Sequence, residues 1–443
     1  MNEATQKYVR QHADDDVRML AFRGRNAPGV DLPLALQQIQ GRQTARRKLP
    51  SWASVDGLHF PPHLALEQCS GEAAARYKAR LIDSLMAPAA PDASEPPAAP
   101  GEAPAAPDAC EPPAFSPCVS RSRGSRFVAT TPSFLIDLTG GFGVDFSFLA
   151  PLFRKAVYVE RQEELCALAR NNLPLLGLPD ATVVCTDAAS YLQQAPHASL
   201  IFLDPARRDQ HGGRTYALSD CTPDVLQLRD LLLRKADCVL LKLSPMLDWR
   251  KAVSDLGPVH VAEVHIVSVG GECKELLVLL TQEAPATRLV CANDEQVLAL
   301  TIDREAPTLF ANGPIAPADK PFSFLYEPNA SVMKAGCFAE LCRRFAVSQL
   351  APNSHLFVSD TLTDGFPGRS FRVTNVTSMN KKELRTALSG IRKANITVRN
   401  FPLTVAQLRQ RLKMSEGGSD YLFATTLADG KHVLALCQRM QND

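Results

Sequence analysis

The sequence predicts an α/β protein with a mainly parallel sheet covered by helices, and three observations carry that expectation. Between residues 127 and 281, short runs rich in Val, Ile and Leu alternate with helix-like segments. A strand apolar along its whole length is one buried on both faces, as parallel sheets require. The first run, Ser133-Phe-Leu-Ile-Asp-Leu138, breaks off into the glycine-rich turn Thr139-Gly-Gly-Phe-Gly143. An acid then follows each of the first three runs: Asp137, Glu160 and Asp187.

The strands follow in order. Lys155-Ala-Val-Tyr-Val159 is the second and Ala181-Thr-Val-Val-Cys185 the third. Ser199-Leu-Ile-Phe-Leu203 and Cys238-Val-Leu-Leu-Lys-Leu243 are the fourth and fifth, and Val264–Val269 and Leu276–Leu280 close the series. The link between the last two is too short for a crossover helix, so that pair is expected to be antiparallel. Residues 1–86 read as a helical domain, with Asp31-Leu-Pro-Leu-Ala-Leu-Gln-Gln-Ile39 at helical spacing. Gly41-Arg-Gln-Thr-Ala-Arg-Arg-Lys48 is a basic stretch, open to contact with phosphate or to the commoner role of a solvated helix face. Residues 87–126, dominated at first by Ala and Pro, are expected to be a disordered linker, because such a segment cannot bury enough apolar surface to offset its ordering entropy. The α/β domain is placed at 127–283, a small α+β domain of ferredoxin-like type at 284–370, and a basic C-terminal domain at 371–443. The last contains a helix from about Asn380 to Lys393, a strand at Ile396–Arg399, a helix near Val405–Lys413, and two strands flanking the Asp429-Gly430 turn.

Composition narrows the class further. Of 443 residues, 45% are hydrophobic and 21% charged, which is ordinary for a soluble globular chain. No apolar run approaches the roughly 18–20 residues that span a bilayer, and the N-terminus lacks a basic segment followed by an apolar core. The 12 cysteines are scattered without paired spacing, which fits free thiols in a reducing cytoplasm and gives no metal site. The net charge of +1 is unevenly spread: residues 127–283 carry 14 basic and 19 acidic side chains, and residues 371–443 carry 12 and 5. A basic tail on an acidic core suits an anionic partner, and equally a solvated lysine-rich surface.

The chemistry is concentrated at Asp137-Leu-Thr-Gly-Gly-Phe-Gly-Val-Asp145. Glycines let the chain turn sharply at a strand end, where open α/β sheets bind ligands. A dinucleotide fingerprint would need glycine at position 146, where Phe146 stands. An acid opens this motif, as suits a ligand bearing an ammonium and a cationic sulfur. Glu160 is placed for two ribose hydroxyls and Asp187 for an adenine amino group.

Asp137-x-Thr139-x-Gly141-x-Gly143, Asp145, Glu160, Thr186-Asp187 and Asp204-Pro205 resemble the motifs of class I S-adenosylmethionine-dependent methyltransferases. The chain as a whole resembles a bacterial family of such enzymes with a THUMP-like C-terminal domain. The stretches that carry this include Gly41–Arg46, Asp204-Pro-Ala-Arg-Arg208, Lys242-Leu-Ser-Pro245, Tyr326-Glu-Pro-Asn-Ala330 and Val398-Arg-Asn-Phe-Pro402. The resemblance implies a Rossmann-like seven-stranded sheet, mostly parallel with its last strand antiparallel, and S-adenosylmethionine as cofactor. It also implies RNA as substrate, by analogy with THUMP-like domains.

On the acceptor side, Asp204-Pro205 stands where base amino-methyltransferases carry Asp/Asn-Pro-Pro and an aromatic, but here Ala206 and Arg207 follow. Arg207 and Arg208 are candidates to stack on a base or grip phosphate, and the polar segment Gln210–Thr215 to close over the substrate. Lys242 and Asp204, with Glu275 ahead of the last strand, match three members of the Lys-Asp-Lys-Glu set of ribose 2′-O-methyltransferases. The first lysine has no counterpart, since only Arg123 and Arg126 lie nearby. Asp204, Pro205 and Lys242 are therefore the expected catalytic residues, and Arg207, Arg208, Ser244 and Glu275 the expected substrate contacts. Methylation of an RNA base amino group is the leading expectation, ahead of ribose. The alternatives are a small-molecule or protein methyltransferase and a non-catalytic RNA-binding protein with a relict pocket.

Overall fold

The computed structural model describes residues 1–23, 28–86, 133–207, 218–302 and 312–440. The whole of the expected linker at 87–126, with Arg123 and Arg126, and also Arg208 and the Gln210–Thr215 segment lie outside the described residues. The chain divides into two compact units: Met1–Leu243 with Leu279–Pro285, and Ser244–Val278 with Ala286–Asp443.

The first unit opens with six helices: α1 (Glu3–Gln11), α2 (Val17–Arg23), α3 (Leu32–Lys48), α4 (Pro50–Ala53), α5 (His63–Gln68) and α6 (Glu72–Met86). Asp31 caps α3 by accepting the Leu34 N–H, with Pro33 in the first turn where its missing N–H costs nothing. Within the basic stretch of α3, Arg42 pairs with Asp56, Arg46 with Asp14, and Gln43 donates to the Ala13 and Asp15 carbonyls. Its Gly41 sits against Phe60, whose Cβ would lie 2.3 Å from an added methyl.

Five parallel strands follow: β1 (Phe134–Asp137), β2 (Lys155–Glu160), β3 (Thr182–Cys185), β4 (Ala198–Leu203) and, after the two-residue strands β5 (Ala206–Arg207) and β6 (Cys221–Thr222), β7 (Ala236–Leu243). Their order is β7-β4-β1-β2-β3, with helices α7 (Val144–Leu149), α8 (Glu163–Leu175), α9 (Ala188–Gln194) and α10 (Val225–Lys235) between them. Register aligns the strand ends: Asp137 pairs with Tyr158 and Phe202, Glu160 with Cys185, and Leu203 with Leu241. The N-terminal helices and the sheet share one apolar cluster. Leu49, Trp52, Phe60 and Leu66 pack with Phe142 and Val144 of the glycine-rich turn, and the Trp52 and Phe142 rings meet edge-on at 5.0 Å.

The second unit holds α11 (Trp249–Leu256), strand β8 (Val261–Val269) and, as far as Val278, strand β9 (Glu272–Leu280), the two strands being neighbours joined by Gly270-Gly271 at φ 61° and 78°, values typical of a tight hairpin turn. The strands after Pro285, β10 (Thr287–Asn293) and β11 (Gln296–Ile302), were expected to begin a separate α+β domain. In the structure β10 pairs in parallel with β8 and β11 antiparallel with β10. The inner position of β10 matches its buried Leu289-Val-Cys-Ala292 run. The sheet built after residue 284 is instead seven-stranded, in the order β13-β14-β12-β15-β18-β17-β16. It comprises β12 (Phe324–Pro328), β13 (Ser348–Gln349), β14 (Phe357–Ser359), β15 (Gly368–Ser378), β16 (Asn395–Arg399), β17 (Asp420–Thr426) and β18 (His432–Arg439), with helices α12 (Ala330–Ala335), α13 (Phe338–Phe345), α14 (Lys381–Ala387) and α15 (Val405–Leu412). Gly336, at φ 70°, caps α12 and separates it from α13. Among the described residues, no helix is long and apolar enough to cross a membrane.

Candidate active site

The first unit contains a cleft of about 480 Å³ at the C-terminal ends of its strands, lined by Asp137, Thr139, Gly141, Gly143, Asp145, Glu160, Asp187, Asp204 and Lys242 among others. Its size falls in the range of small-molecule sites, roughly 300–1,000 Å³. Every residue expected to bind cofactor lines it, as do Asp204 and Lys242.

The glycine-rich turn is shaped from both sides. The Gly140 N–H donates to the Val159 carbonyl at 2.8 Å, drawing the turn onto β2. A Cβ on Gly140 would lie 2.1 Å from the Tyr158 ring, so no larger residue fits. The Tyr158 hydroxyl in turn donates to the Gly141 carbonyl at 2.5 Å. Gly143, at φ 83°, starts α7 from the left-handed region.

Two buried carboxylates complete the turn. Asp137 is 1% exposed and accepts the Thr139 N–H at 2.9 Å. Burial pushes its pKa well above the ordinary carboxylate value; the Thr139 N–H opposes this, and Asp145, Asp204 and Glu160 add to it. Glu160 accepts the Gly141 N–H through Oε2 at 3.0 Å and the Gln162 N–H through Oε1 at 2.9 Å. A carboxylate has about four acceptor positions, so two remain for a ligand. Exposed Asp187 caps α9, accepting the Ser190 N–H at 2.9 Å, and its hydrogen bonds from Ser190 hold its pKa down.

At the other end of the cleft, Asp204 donates its N–H to Thr139 Oγ1 at 2.6 Å, and its carboxylate takes the Lys242 ammonium. Lys242 also lies 3.6 Å from Asp145. Asp145 holds two further groups that sequence reasoning missed: the Ser70 hydroxyl donates to it at 2.8 Å, and the Lys78 ammonium lies 3.1 Å away. Burial raises the Asp145 pKa, but Lys78 and Lys242 outweigh it and the net direction is down. A signal for Lys78 did exist: in α6 the buried positions are Glu72, Ala74, Ala75, Lys78, Leu81 and Ile82, so this lysine interrupts the apolar stripe.

The other expected residues fall elsewhere. Pro205 is buried behind Asp204, Arg207 lies in β5 and Arg208 outside the described residues. Ser244 and Glu275 belong to the second unit, where the Ser244 hydroxyl accepts the Met246 N–H and Glu275 is buried in β9. Neither is among the residues lining the cleft. Two stretches singled out in the sequence meet within the second unit: Glu327 is ion-paired with both Arg369 and Arg399.

A glycine turn between β1 and α7, with an acid ending each of two adjacent parallel strands, defines an α/β protein of the class I methyltransferase type. The crystal structure of a Porphyromonas gingivalis W83 protein assigned as a methyltransferase matches with a TM-score of 0.78 at 30% identity, covering 99% of this chain and 98% of that one. The chain belongs to the family of methyltransferases that this protein represents. Residues 324–367 match a ferredoxin-like domain family and residues 368–439 a THUMP domain-like family. Partial likenesses extend to an rRNA methylase from Streptococcus thermophilus, at 15% identity and TM-score 0.27 over 35% of this chain and 88% of that one. They also include an Agrobacterium tumefaciens S-adenosylmethionine-dependent methyltransferase, at 19% and 0.28 over 35% and 58%. Among curated proteins none matches the sequence.

Proposed function

We propose that this protein transfers a methyl group from S-adenosylmethionine to an exocyclic amino group of an RNA base. The observation that carries the reading is the pair of buried carboxylates, Asp137 and Glu160, facing one cleft across the glycine turn. Their chemistry fits the cofactor: acids suit its ammonium and sulfonium charges, and Glu160 keeps acceptor positions for ribose hydroxyls. Asp187 would receive the adenine end, with Thr139, Gly141, Gly143 and Asp145 shaping the turn around it. When bound, the cofactor supplies a methyl already activated by its positive sulfur.

The chain's own task is alignment, which can supply roughly 7–11 kcal/mol of barrier lowering. Asp204 is 38% exposed at its side chain and engages Lys242 through Oδ2, which leaves Oδ1 to accept an amino N–H and aim the nitrogen lone pair. A ribose hydroxyl would instead need a base. Lys242 lies between the carboxylates of Asp145 and Asp204, and two neighbouring negative charges favour an ammonium over the free amine that a base would need. This favours the amino acceptor. RNA is supported by the THUMP domain-like match at 368–439 and by the basic charge of that region, 12 basic against 5 acidic side chains from 371 to 443. Arg207 and Arg208 are proposed to contact the RNA.

The test is transfer of labelled methyl from S-adenosylmethionine to bulk ribosomal and transfer RNA, followed by nucleoside analysis. Label on a base nitrogen is expected. Label on a ribose, or only on protein or small molecules, would overturn the acceptor assignment. Asp204→Ala should bind cofactor normally in a calorimeter yet transfer no methyl.

A further inference from the structure

We infer that Lys78, supplied by the N-terminal helices, is a positioning residue for the acceptor end of the cleft: by holding Asp145 it leaves Lys242 to hold Asp204. The catalytic consequence rests on the methyl-transfer reading above; the positional one does not.

The four groups form an alternating chain of charge, Lys78–Asp145–Lys242–Asp204. Lys78 has no exposed surface, and its neighbours on the α6 face are Ala74, Ala75, Leu81 and Ile82. A lysine in an apolar stripe is costly to bury, so the stripe alone does not account for it. Its ammonium lies 3.1 Å from Asp145 Oδ1 and donates to the Ser70 hydroxyl at 3.3 Å, while that hydroxyl donates to Asp145 Oδ2. Asp145 is thus gripped by the N-terminal helices on one side and approached by Lys242 on the other, at 3.6 Å.

Burial decides how Lys242 divides itself. The Asp145 side chain is 9% exposed and the Asp204 side chain 38%. Water can compensate an unpaired Asp204 but reaches Asp145 poorly, so a Lys242 with only one partner to choose would choose Asp145. The Lys78 charge removes that demand, and Lys242 engages Asp204 closely while standing off from Asp145. The N-terminal helices therefore reach the reaction centre through a charge, in addition to the Ala65, Gln68, Cys69 and Ser70 surfaces with which they line the cleft. Lys78 itself is not among the lining residues and acts through Asp145.

The experiment is a set of crystal structures of wild type, Lys78→Met and Lys78→Arg, each soaked with S-adenosylhomocysteine. In Lys78→Met the Lys242 ammonium should leave Asp204 and move onto Asp145; in Lys78→Arg it should stay on Asp204. Should the methionine variant not fold, Lys78→Gln, which keeps an N–H donor on Asp145 and Ser70, decides by the same readout. A Lys242 that remains on Asp204 in the neutral variant overturns the inference. With bulk RNA as methyl acceptor, kcat of the neutral variant should fall about 100-fold, the scale of a 1 Å misplacement, with KM for cofactor within about twofold and most of the loss restored by arginine. A purely structural pair would lower thermal stability and leave kcat of the folded protein unchanged. If wild type transfers nothing to RNA, the RNA reading fails, and the position of Lys242 still decides the role of Lys78.

Discussion

The Glu160 carboxylate accepts the Gly141 N–H at 3.0 Å, so the acid at the end of β2 and the turn after β1 form one unit. Glu160 also accepts the Gln162 N–H, and its two oxygens together fix the walls of the cleft. Glutamine at this position offers one acceptor oxygen for two backbone donors and loses the charge. Hydrogen bonds to charged groups are worth roughly 1.5–3 kcal/mol. Glu160→Gln should therefore weaken S-adenosylmethionine binding by about tenfold or more. Calorimetric titration of both proteins checks this, and equal affinities would remove Glu160 from the site.

Gly140 and Gly141 are adjacent but should fail differently as alanines. A Cβ at Gly140 meets the Tyr158 ring at 2.1 Å, and Tyr158 is fully buried and cannot retreat. At Gly141 the nearest atom would be 3.7 Å away, and the cost is the φ of 55° alone, about 1–2 kcal/mol. Gly140→Ala should lose more, several kcal/mol at overpacked sites, and should take cofactor binding with it. Denaturant melts of the two variants compare the costs directly, and a Gly140→Ala protein as stable as Gly141→Ala would contradict the close packing.

The cap that Asp187 provides and the cofactor contact proposed for it can be separated by one pair of substitutions. Its carboxylate caps α9 through the Ser190 N–H, and its place beside the cleft suits the adenine end of the cofactor. Serine caps a helix nearly as well as aspartate, whereas alanine costs about 1 kcal/mol. Asp187→Ser should keep the melting temperature while binding S-adenosylmethionine more weakly, and Asp187→Ala should lose both. Wild-type affinity in Asp187→Ser would confine this residue to its cap.

How far the sequence could be read follows from the reach of each interaction. The turn from Asp137 to Gly143 was legible because strand end, glycine spacing and acids are local features of one segment. The acids at 160 and 187 were legible because parallel strands of similar length place their ends side by side, as the Asp137–Tyr158 and Glu160–Cys185 pairings show. The pairing of Lys78 was not, because its partner Asp145 lies 67 residues away across the segment that separates α6 from β1. The strands β10 and β11 were misplaced for a related reason: an apolar run shows that a strand is buried and says nothing about its partner, here β8. The basic stretch of α3 also looked available for phosphate until Arg42 and Arg46 were seen to meet Asp56 and Asp14.

The cofactor role proposed for Asp137 sets binding against stability. It is buried, and burial, with Asp145, Asp204 and Glu160 adding to it, lifts its pKa well above the ordinary carboxylate value. The folded protein thus holds a proton that the unfolded chain releases at lower pH, so folding loses stability as pH rises from the unfolded value through the folded one. Asparagine mimics the protonated form and keeps an acceptor for the Thr139 N–H. Asp137→Asn should therefore raise the melting temperature of the cofactor-free protein at neutral pH by a few degrees, at about 2–4 °C per kcal/mol for units of this size. The same carboxylate must ionise to meet a cationic ligand, so S-adenosylmethionine affinity should rise with pH through the elevated range, with a proton released on binding. S-adenosylhomocysteine lacks the sulfonium charge and should show a shallower slope, and Asp137→Asn should bind weakly with little slope at all. Calorimetry across pH in buffers of different ionisation heat reads both quantities. An affinity independent of pH, together with an asparagine variant that binds as wild type does, would show that the charge of Asp137 is not what the cofactor meets.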